Sequence, residues 1–470
     1  MSFALCRRRE LRSRRPIQHQ SSLMETAGLF DTSWAAVTVC SLLKGMAEAI
    51  PAVTVKALIL HHFGPHNTFV VNGLLEGARA LMAFCFAPLV GRLSDSVGRR
   101  LPLAICVLAG VLPSTVLLVG ALIKPNLSST SWNVWSCFYV LCGAAKSTDA
   151  IITAYIVDVV PQRHRAGAMG INLAIAFGLS SALGNVSGTA VYKRWGTVPT
   201  FAVPVVLALL NVAYVATCLP ESLKPEQRRT LHECSRCDGL AGLHPAAAFR
   251  LLRRDASGAM WRLCAAAFCA YASFFGFICN YQLYLQTAFG FTASDCAIFV
   301  AGFGLVSFCT KCSIGLLRTC LSEPALVRLG FSSFIAAALV MAAAPTHALF
   351  SSGAMLMAVG LIAPPVLAAI ASTAEIELSS KEPAVGAVQA LIVAFGALAE
   401  GVSPLAFGLL LDVAAGTDWP GLPFVAGGAI ACFGWYCAAG AIARIGLPWN
   451  ALGKPLLKLP VGLATPTGLR

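Results

Sequence analysis

Charge is what this sequence has least of. Only 12% of its 470 residues are Asp, Glu, Lys or Arg, about half the ~25% of an ordinary soluble domain. Acidic residues are the scarcer kind, 21 against 34 basic. Hydrophobic residues make up 57%. A soluble protein of this size has a largely wetted surface and cannot hide so much apolar area, so a soluble globular class is excluded and lipid is the expected solvent. The apolar segments are also too long for the ten-residue alternating strands of a membrane barrel. A Gly-x-x-x-x-Gly-Lys-Ser/Thr loop is missing, which excludes an ATP-driven pump within this chain. No Ser/His/Asp or metal constellation stands out, so neither enzymatic chemistry nor a cofactor is expected.

What is present is a series of long apolar runs. A hydrocarbon core of about 30 Å needs roughly 20 apolar residues per helix, and only a helix satisfies its own backbone there without closing into a barrel. Runs between charged or Gly/Pro-rich breaks predict helices over 34–60, 68–91, 101–123, 133–158, 167–191 and 199–219. After a polar stretch they continue over 260–285, 294–318, 326–345, 348–374, 383–412 and 421–445. The fold class expected is an all-α membrane protein of twelve transmembrane helices in two six-helix halves. Its divisions are a basic tail (1–33), a first half (34–219), a central loop (220–259), a second half (260–445) and a C-terminal tail (446–470).

Lys and Arg set the orientation. With the N-terminus inside, the inner loops and tails, with the span ends beside them, carry 26 of the 34 basic residues. The outer loops carry three: Lys124, Lys193 and Arg194. Both termini are therefore expected to be cytoplasmic, in a plasma-membrane or internal-membrane protein. The net charge of +13 then faces anionic lipid and requires no nucleic acid. The Arg-rich start, Arg7 to Arg15, is read as an inside-facing tail or, alternatively, as an organelle-targeting segment. No cleavable secretory signal is expected, since the first apolar run is a full span. Cys234 and Cys237 have zinc-like spacing but lack a second pair, so reduced thiols are expected there. Asn126 opens a glycosylation sequon in an outer loop.

Between the second and third spans stands Gly91-Arg-Leu-Ser-Asp-Ser-Val-Gly-Arg-Arg100. Two glycines, one carboxylate and two adjacent arginines in a short inner turn read as a latch: the carboxylate can neutralise a helix N-terminus and a fixed arginine can bridge carboxylates. The run resembles the signature loop of the major facilitator superfamily at Gly91, Leu93, Asp95, Gly98, Arg99 and Arg100. The fourth span ends Tyr155-Ile-Val-Asp158-Val-Val-Pro161, which is similar to a second pattern of that superfamily. The resemblance implies an Asp95–Arg99–Asp158 network, intact in one access state and broken in the other. The end of the sixth span, Pro220-Glu-Ser-Leu223, and the stretch from Asn72 resemble the branch of tetracycline-efflux and hippocampus-abundant-transcript-like transporters. The likeness spans about 35–445 and is close mainly in the first half and near 386–404.

Departures accompany it. The fourth span has no arginine at the position often linked with proton coupling in that superfamily, and carries Lys146 in the span instead. The fifth has Gly184-Asn185, then Gly188, where drug/proton antiporters have a Gly-Pro pair. The loop over 318–328 barely resembles the latch. A faint duplication pairs Gly167-Ala168 and Ala176-Phe-Gly178 with Gly386-Ala387 and Ala394-Phe-Gly396, as expected of two halves rocking around a midplane site.

Ionisable residues inside spans are costly and mark function or mutual pairing. Lys44 and Glu48, Glu76 and Arg79, and Lys146 and Asp149 are spaced to share helix faces. Lys44, Glu48, Lys146 and Asp149 lie on spans that line the cavity in this superfamily, and they are the candidates for substrate binding. The Glu76–Arg79 pair is equally well read as intrahelical neutralisation. Glu400 has no local partner, which makes it a candidate for carrying a coupled proton or a partner for Lys311. Asn72, Tyr281 and Gln282 could hydrogen-bond a polar solute. Pro51 and Pro364-Pro365 are expected to bend their helices. The function expected is gradient-driven, proton-coupled transport of a small polar solute by alternating access, by a monomer in the bilayer. The competing reading is a non-transporting trafficking partner or sensor on the same fold.

Overall fold

The computed structural model describes residues 33–123, 129–160, 162–223, 258–378, 385–415, 417 and 419–446. The Arg-rich start, Asn126, Cys234, Cys237 and the C-terminal tail lie outside them. Among the described residues there are twelve helices long and apolar enough to cross a membrane. They are α1 (Trp34–Gly64), α2 (Asn67–Phe86), α3 (Arg100–Ile123), α4 (Ser131–Val159), α5 (Ala168–Trp195) and α6 (Thr197–Thr217). The second half holds α7 (Ala259–Phe289), α8 (Ala293–Arg318), α9 (Glu323–Ala342), α10 (His347–Ala371), α11 (Leu391–Ala415) and α12 (Leu422–Ile445).

Several helices depart from regular winding. One run, Ser33–Val97, contains both α1 and α2 and is broken only at Gly64. Its φ of 73° is a left-handed value that glycine alone adopts freely. The run keeps helical dihedrals through Pro51. It also continues to Val97, which corrects the reading of 91–100 as one flexible turn: Gly91 is helical, and the chain turns only at Gly98, with φ 107°. In α4 a 3₁₀ segment spans Cys142–Ser147, and in α5 a π-helical turn spans Ala174–Leu179. Helix α10 breaks after Gly360 and restarts at Ala363, with Pro364 and Pro365 in the new first turn, where a missing N–H costs nothing.

The cores of the two halves differ. In the second half one continuous cluster gathers Leu263, Phe331, Phe334 and Phe350. The first half has two clusters. One holds Val37, Leu103, Tyr155 and Ile156. The other holds Ile59, Leu117, Trp132, Trp135 and Phe201. Between them, along the helix axes, lies a layer of charged side chains.

The halves meet along two seams of small residues, which let backbones approach closely. On α2, a Cβ at Gly73 or at Gly77 would lie 2.5 Å from the carbonyl oxygen of Pro404 or Gly401 on α11. On α5, one at Gly178 would lie 2.8 Å from the carbonyl of Gly304 on α8. Towards the end of the bundle that carries Gly98, hereafter the turn end, the same faces stand open. Gly91, about four turns beyond Gly77, and Gly315, about three turns beyond Gly304, have no atom within 4 Å of a Cβ position. Among the described residues the halves thus pack closely at mid-bundle and beyond, while Gly91 and Gly315 at the turn end face no neighbour.

Because the obstruction at Gly77 is backbone, Gly77→Val forces α2 and α11 apart. It should cost about 1–3 kcal/mol, as overpacking does. Gly315→Ala should be neutral or stabilising by about 0.5–1 kcal/mol, the gain of replacing a helical glycine. Thermal unfolding of the purified protein in detergent checks the contrast; equal effects would contradict the seam.

Candidate functional site

Two charged assemblies stand out, one at the turn end and one in the cavity. At the turn end Arg99 is buried, with 6% exposure. Its Nε donates to Asp158 Oδ2 at 2.9 Å, and its Nη1 donates to Asp95 Oδ1 and to Ser94 Oγ, each at 2.6 Å. Glu221, just past α6, accepts from the backbone N–H of Arg99 at 2.7 Å and of Arg100 at 3.2 Å. It supplies a carboxylate to the unsatisfied donors and positive dipole end of α3. Arg100 does the reverse for α6: its Nε donates to the Val215 carbonyl at 3.2 Å and its Nη2 to that of Ala216, where a cation suits a helix C-terminus. Ser222 Oγ donates to Asp158 Oδ2 at 2.9 Å. The sequence-predicted Asp95, Arg99 and Asp158 therefore come together, Gly98 makes the turn, and Gly91 stands apart in the helix. Glu221 and Ser222 are additional members. Their signal was present in the Pro220-Glu-Ser-Leu223 run, which resemblance marked without assigning a role.

The cavity has a volume of about 320 Å³ and lies mostly against the first half, with α7 and α8 opposite. Lys44, Glu48, Lys56, Glu76, Arg79 and Lys146 supply its charges. Lys44 Nζ is 2.6 Å from Asp149 and 4.0 Å from Glu48. Lys56 Nζ is 2.7 Å from Glu76 and also donates to Asn72. Asn72 in turn donates to the Cys279 carbonyl at 2.8 Å and to Asn280 Oδ1 at 3.1 Å, crossing to the second half. Lys146 donates to Glu400 on α11, a second crossing. Arg79 Nη1 donates to the Tyr139 hydroxyl at 3.2 Å, its Cζ is 4.7 Å from the Tyr139 ring centre, and its Nη2 lies 3.8 Å from Glu48.

These distances leave Lys44 and Glu48 paired at 4.0 Å and correct the other two intrahelical pairings. Glu76 bonds Lys56 instead of Arg79, and Lys146 bonds Glu400 instead of Asp149. The 3₁₀ segment over Cys142–Ser147 winds at about three residues per turn, which rotates Lys146 relative to Asp149. Glu400 is neither alone nor paired with Lys311; Lys311 instead sits 5.0 Å above the Phe177 ring, held over the π face of an aromatic. Of the five predicted cavity residues, Lys44, Glu48 and Lys146 line it, and Asp149 and Glu400 stand behind, each bound to a lining lysine. Asn72, Tyr281 and Gln282 also line it. Sequence reasoning missed Lys56 and the inward role of Arg79. The signal for both was their position within spans, where an ion must face protein or water.

The Major Facilitator Superfamily model matches residues 37–404. The chain belongs to the Major Facilitator Superfamily. Among curated relatives, it is 26% identical over 362 residues to hippocampus abundant transcript-like protein 1 of Bos taurus, covering 75% of this chain and 66% of that protein. The chain thus spans just under two thirds of that relative's length. Among solved structures, the human organic anion transporter MFSD10 (TETRAN) superposes with a TM-score of 0.65 at 17% identity, covering 86% of this chain and 98% of the other. A D-xylose-proton symporter superposes with a TM-score of 0.64 at 15% identity, covering 90% and 98%. At such identities the structures share the fold. The chain is a multi-pass membrane protein of this superfamily.

Arg99 carries a measurable prediction. Arg99→Ala leaves Asp158 and Asp95 without their cation and should cost about 3 kcal/mol, as breaking a buried pair does. Glu221→Ala should cost about 1 kcal/mol, the size of a lost cap. Chemical or thermal unfolding in detergent tests the order; a larger loss for Glu221→Ala would contradict the central place of Arg99.

Proposed function

We propose that the protein is a secondary active transporter that moves a small polar solute by alternating access, with protons as the coupling ion. The observation that carries this reading is the position of the charged cavity: among the described residues it lies between halves that pack closely at Gly73, Gly77 and Gly178, while Gly91 and Gly315 toward the turn end face no neighbour. A solute bound there has an open route on one side and packed glycine seams on the other. With Lys and Arg concentrated on the loops of the turn end, that end is cytoplasmic, as are both termini. The shape is then the inward-open member of a pair of access states. Its outward-open counterpart requires the seams to loosen and the turn end to close, around a site near the midplane.

Asp95, Arg99, Arg100, Asp158 and Glu221 act as a positioning network in this scheme. They tie the ends of α2, α3, α4 and α6 into one rigid piece, so that the first half moves as a body. Lys146–Glu400 and Asn72–Asn280 join the halves at cavity level and are the contacts whose remaking accompanies the swing. Among neighbours on the fold, one is an organic anion transporter and one a sugar–proton symporter, so both charged and neutral solutes are within the reach of this architecture. The protein works as a monomer.

Reconstitution into proteoliposomes with an imposed pH gradient tests the proposal. Labelled organic anions, sugars and organic cations are screened for gradient-dependent uptake. At least one should accumulate, and Asp95→Ala should lower its uptake about tenfold, the effect of about 1.4 kcal/mol on a balance between two states. Folded protein that carries no solute of any class under a gradient would refute transport.

A further inference from the structure

The cations of the cavity are not equally neutralised. Lys44, Lys56 and Lys146 each have a carboxylate within hydrogen-bonding contact: Asp149, Glu76 and Glu400. Arg79 does not. Its carboxylate neighbour, Glu48, is 3.8 Å from Nη2, beyond hydrogen-bond reach. Its Nε is buried without any partner. Of its five N–H donors, one makes a hydrogen bond among the described residues, to the Tyr139 hydroxyl. Glu48 is correspondingly loose. It sits between Arg79 and Lys44, at 3.8 and 4.0 Å, hydrogen-bonds neither, and keeps 39% of its side chain exposed. A guanidinium is the side chain best shaped to grip a carboxylate, and an under-used one facing a cavity in an apolar bundle is expensive to keep without a ligand.

We propose that the transported solute is a small organic anion whose acidic group binds Arg79 and Lys44, and that Glu48 takes up a proton when it does. This rests on the transporter reading above. The reason is charge balance. The cluster holds four cations, Lys44, Lys56, Arg79 and Lys146, and four carboxylates, Glu48, Glu76, Asp149 and Glu400. An anion added alone would leave it at −1 in a poorly solvated interior and would face Glu48 as a like charge, which raises the cost of both. A proton on Glu48 restores neutrality, frees Arg79 and Lys44, and gives Glu48 an O–H to donate to the incoming acid. Anion and proton therefore bind together. The titratable groups that line the cavity with Glu48 are Lys44 and Lys56 on its own helix, Glu76 and Arg79 on α2, Cys106 on α3, Tyr139, Cys142 and Lys146 on α4, and Cys279 and Tyr281 on α7, with Asp149 behind Lys44; α5 presents Ser180 and Ser181.

The test is a binding measurement, independent of flux. The full chain in detergent is titrated with p-aminohippurate, D-glucose and tetraethylammonium at pH 5.5 and pH 7.5, and unfolding midpoints give apparent Kd values. The anion should bind and should tighten toward pH 5.5 by up to about tenfold per pH unit, the limit for one proton taken up with it. The sign follows because the bound state holds the extra proton. Glu48→Gln, a neutral mimic of the protonated acid, should bind the anion equally at both pH values. Arg79→Gln should lose the anion at both; if that variant does not fold, Glu48→Gln alone decides. Absence of anion binding, binding of glucose or tetraethylammonium in its place, or a pH dependence that survives in Glu48→Gln would overturn the inference. Proton-linked anion binding without flux in liposomes would uphold this site and refute transport, whereas flux of sugar or cation without anion binding would do the opposite.

Discussion

Among the described residues, the lysines of the cavity are each held by a carboxylate on another helix, and that constraint shapes the rest of the molecule. An ion in an apolar span is tolerated only when neutralised or wetted. Neutralisation here is done between helices: α1 to α4 through Lys44 and Asp149, α1 to α2 through Lys56 and Glu76, and α4 to α11 through Lys146 and Glu400. The polar layer splits the first half's core into two apolar clusters, while the second half, with few ions, keeps one. The cavity is the space that this layer cannot fill.

A transporter also needs its halves to be stiff within and loose between. Arg99 and Glu221 provide stiffness by satisfying both carboxylates and helix-end donors in one place. The seams bring backbone close to backbone, since Gly73, Gly77, Gly178 and Gly304 each have a carbonyl oxygen of the other half within 3 Å of a Cβ position. The ion pair at Lys146–Glu400 joins charge across the divide.

The number of spans was legible in the sequence because each needs about 20 apolar residues and the breaks between them are polar. The Asp95–Arg99–Asp158 association was legible through motif resemblance. Of the ion pairs inside the membrane, the Lys44–Glu48 pair at 4.0 Å was legible from spacing, and those that cross between helices were not. Helical spacing points to neighbours on the same face, yet Glu76 and Lys146 find partners on other helices, because helix rotation is set by packing and by local winding such as the 3₁₀ turn before Thr148. The turn at Gly98 was misplaced toward Gly91 for a related reason: glycine permits a turn, but α2 simply continues through Gly91. Arg79 looked like half of a neutral pair, and only the 3.8 Å gap to Glu48 exposes its unused donors.

The central claim is that one cavity is served alternately from two ends. Spin labels introduced by click chemistry at Val97 and Leu316 report the turn end, and labels at Trp195 and Ile298 report the opposite end; all four side chains are exposed. Double electron–electron resonance distances are then compared across pH and with p-aminohippurate present. The account predicts that the first distance shortens as the second lengthens. Two distances that stay fixed, or that change in the same sense, would contradict it.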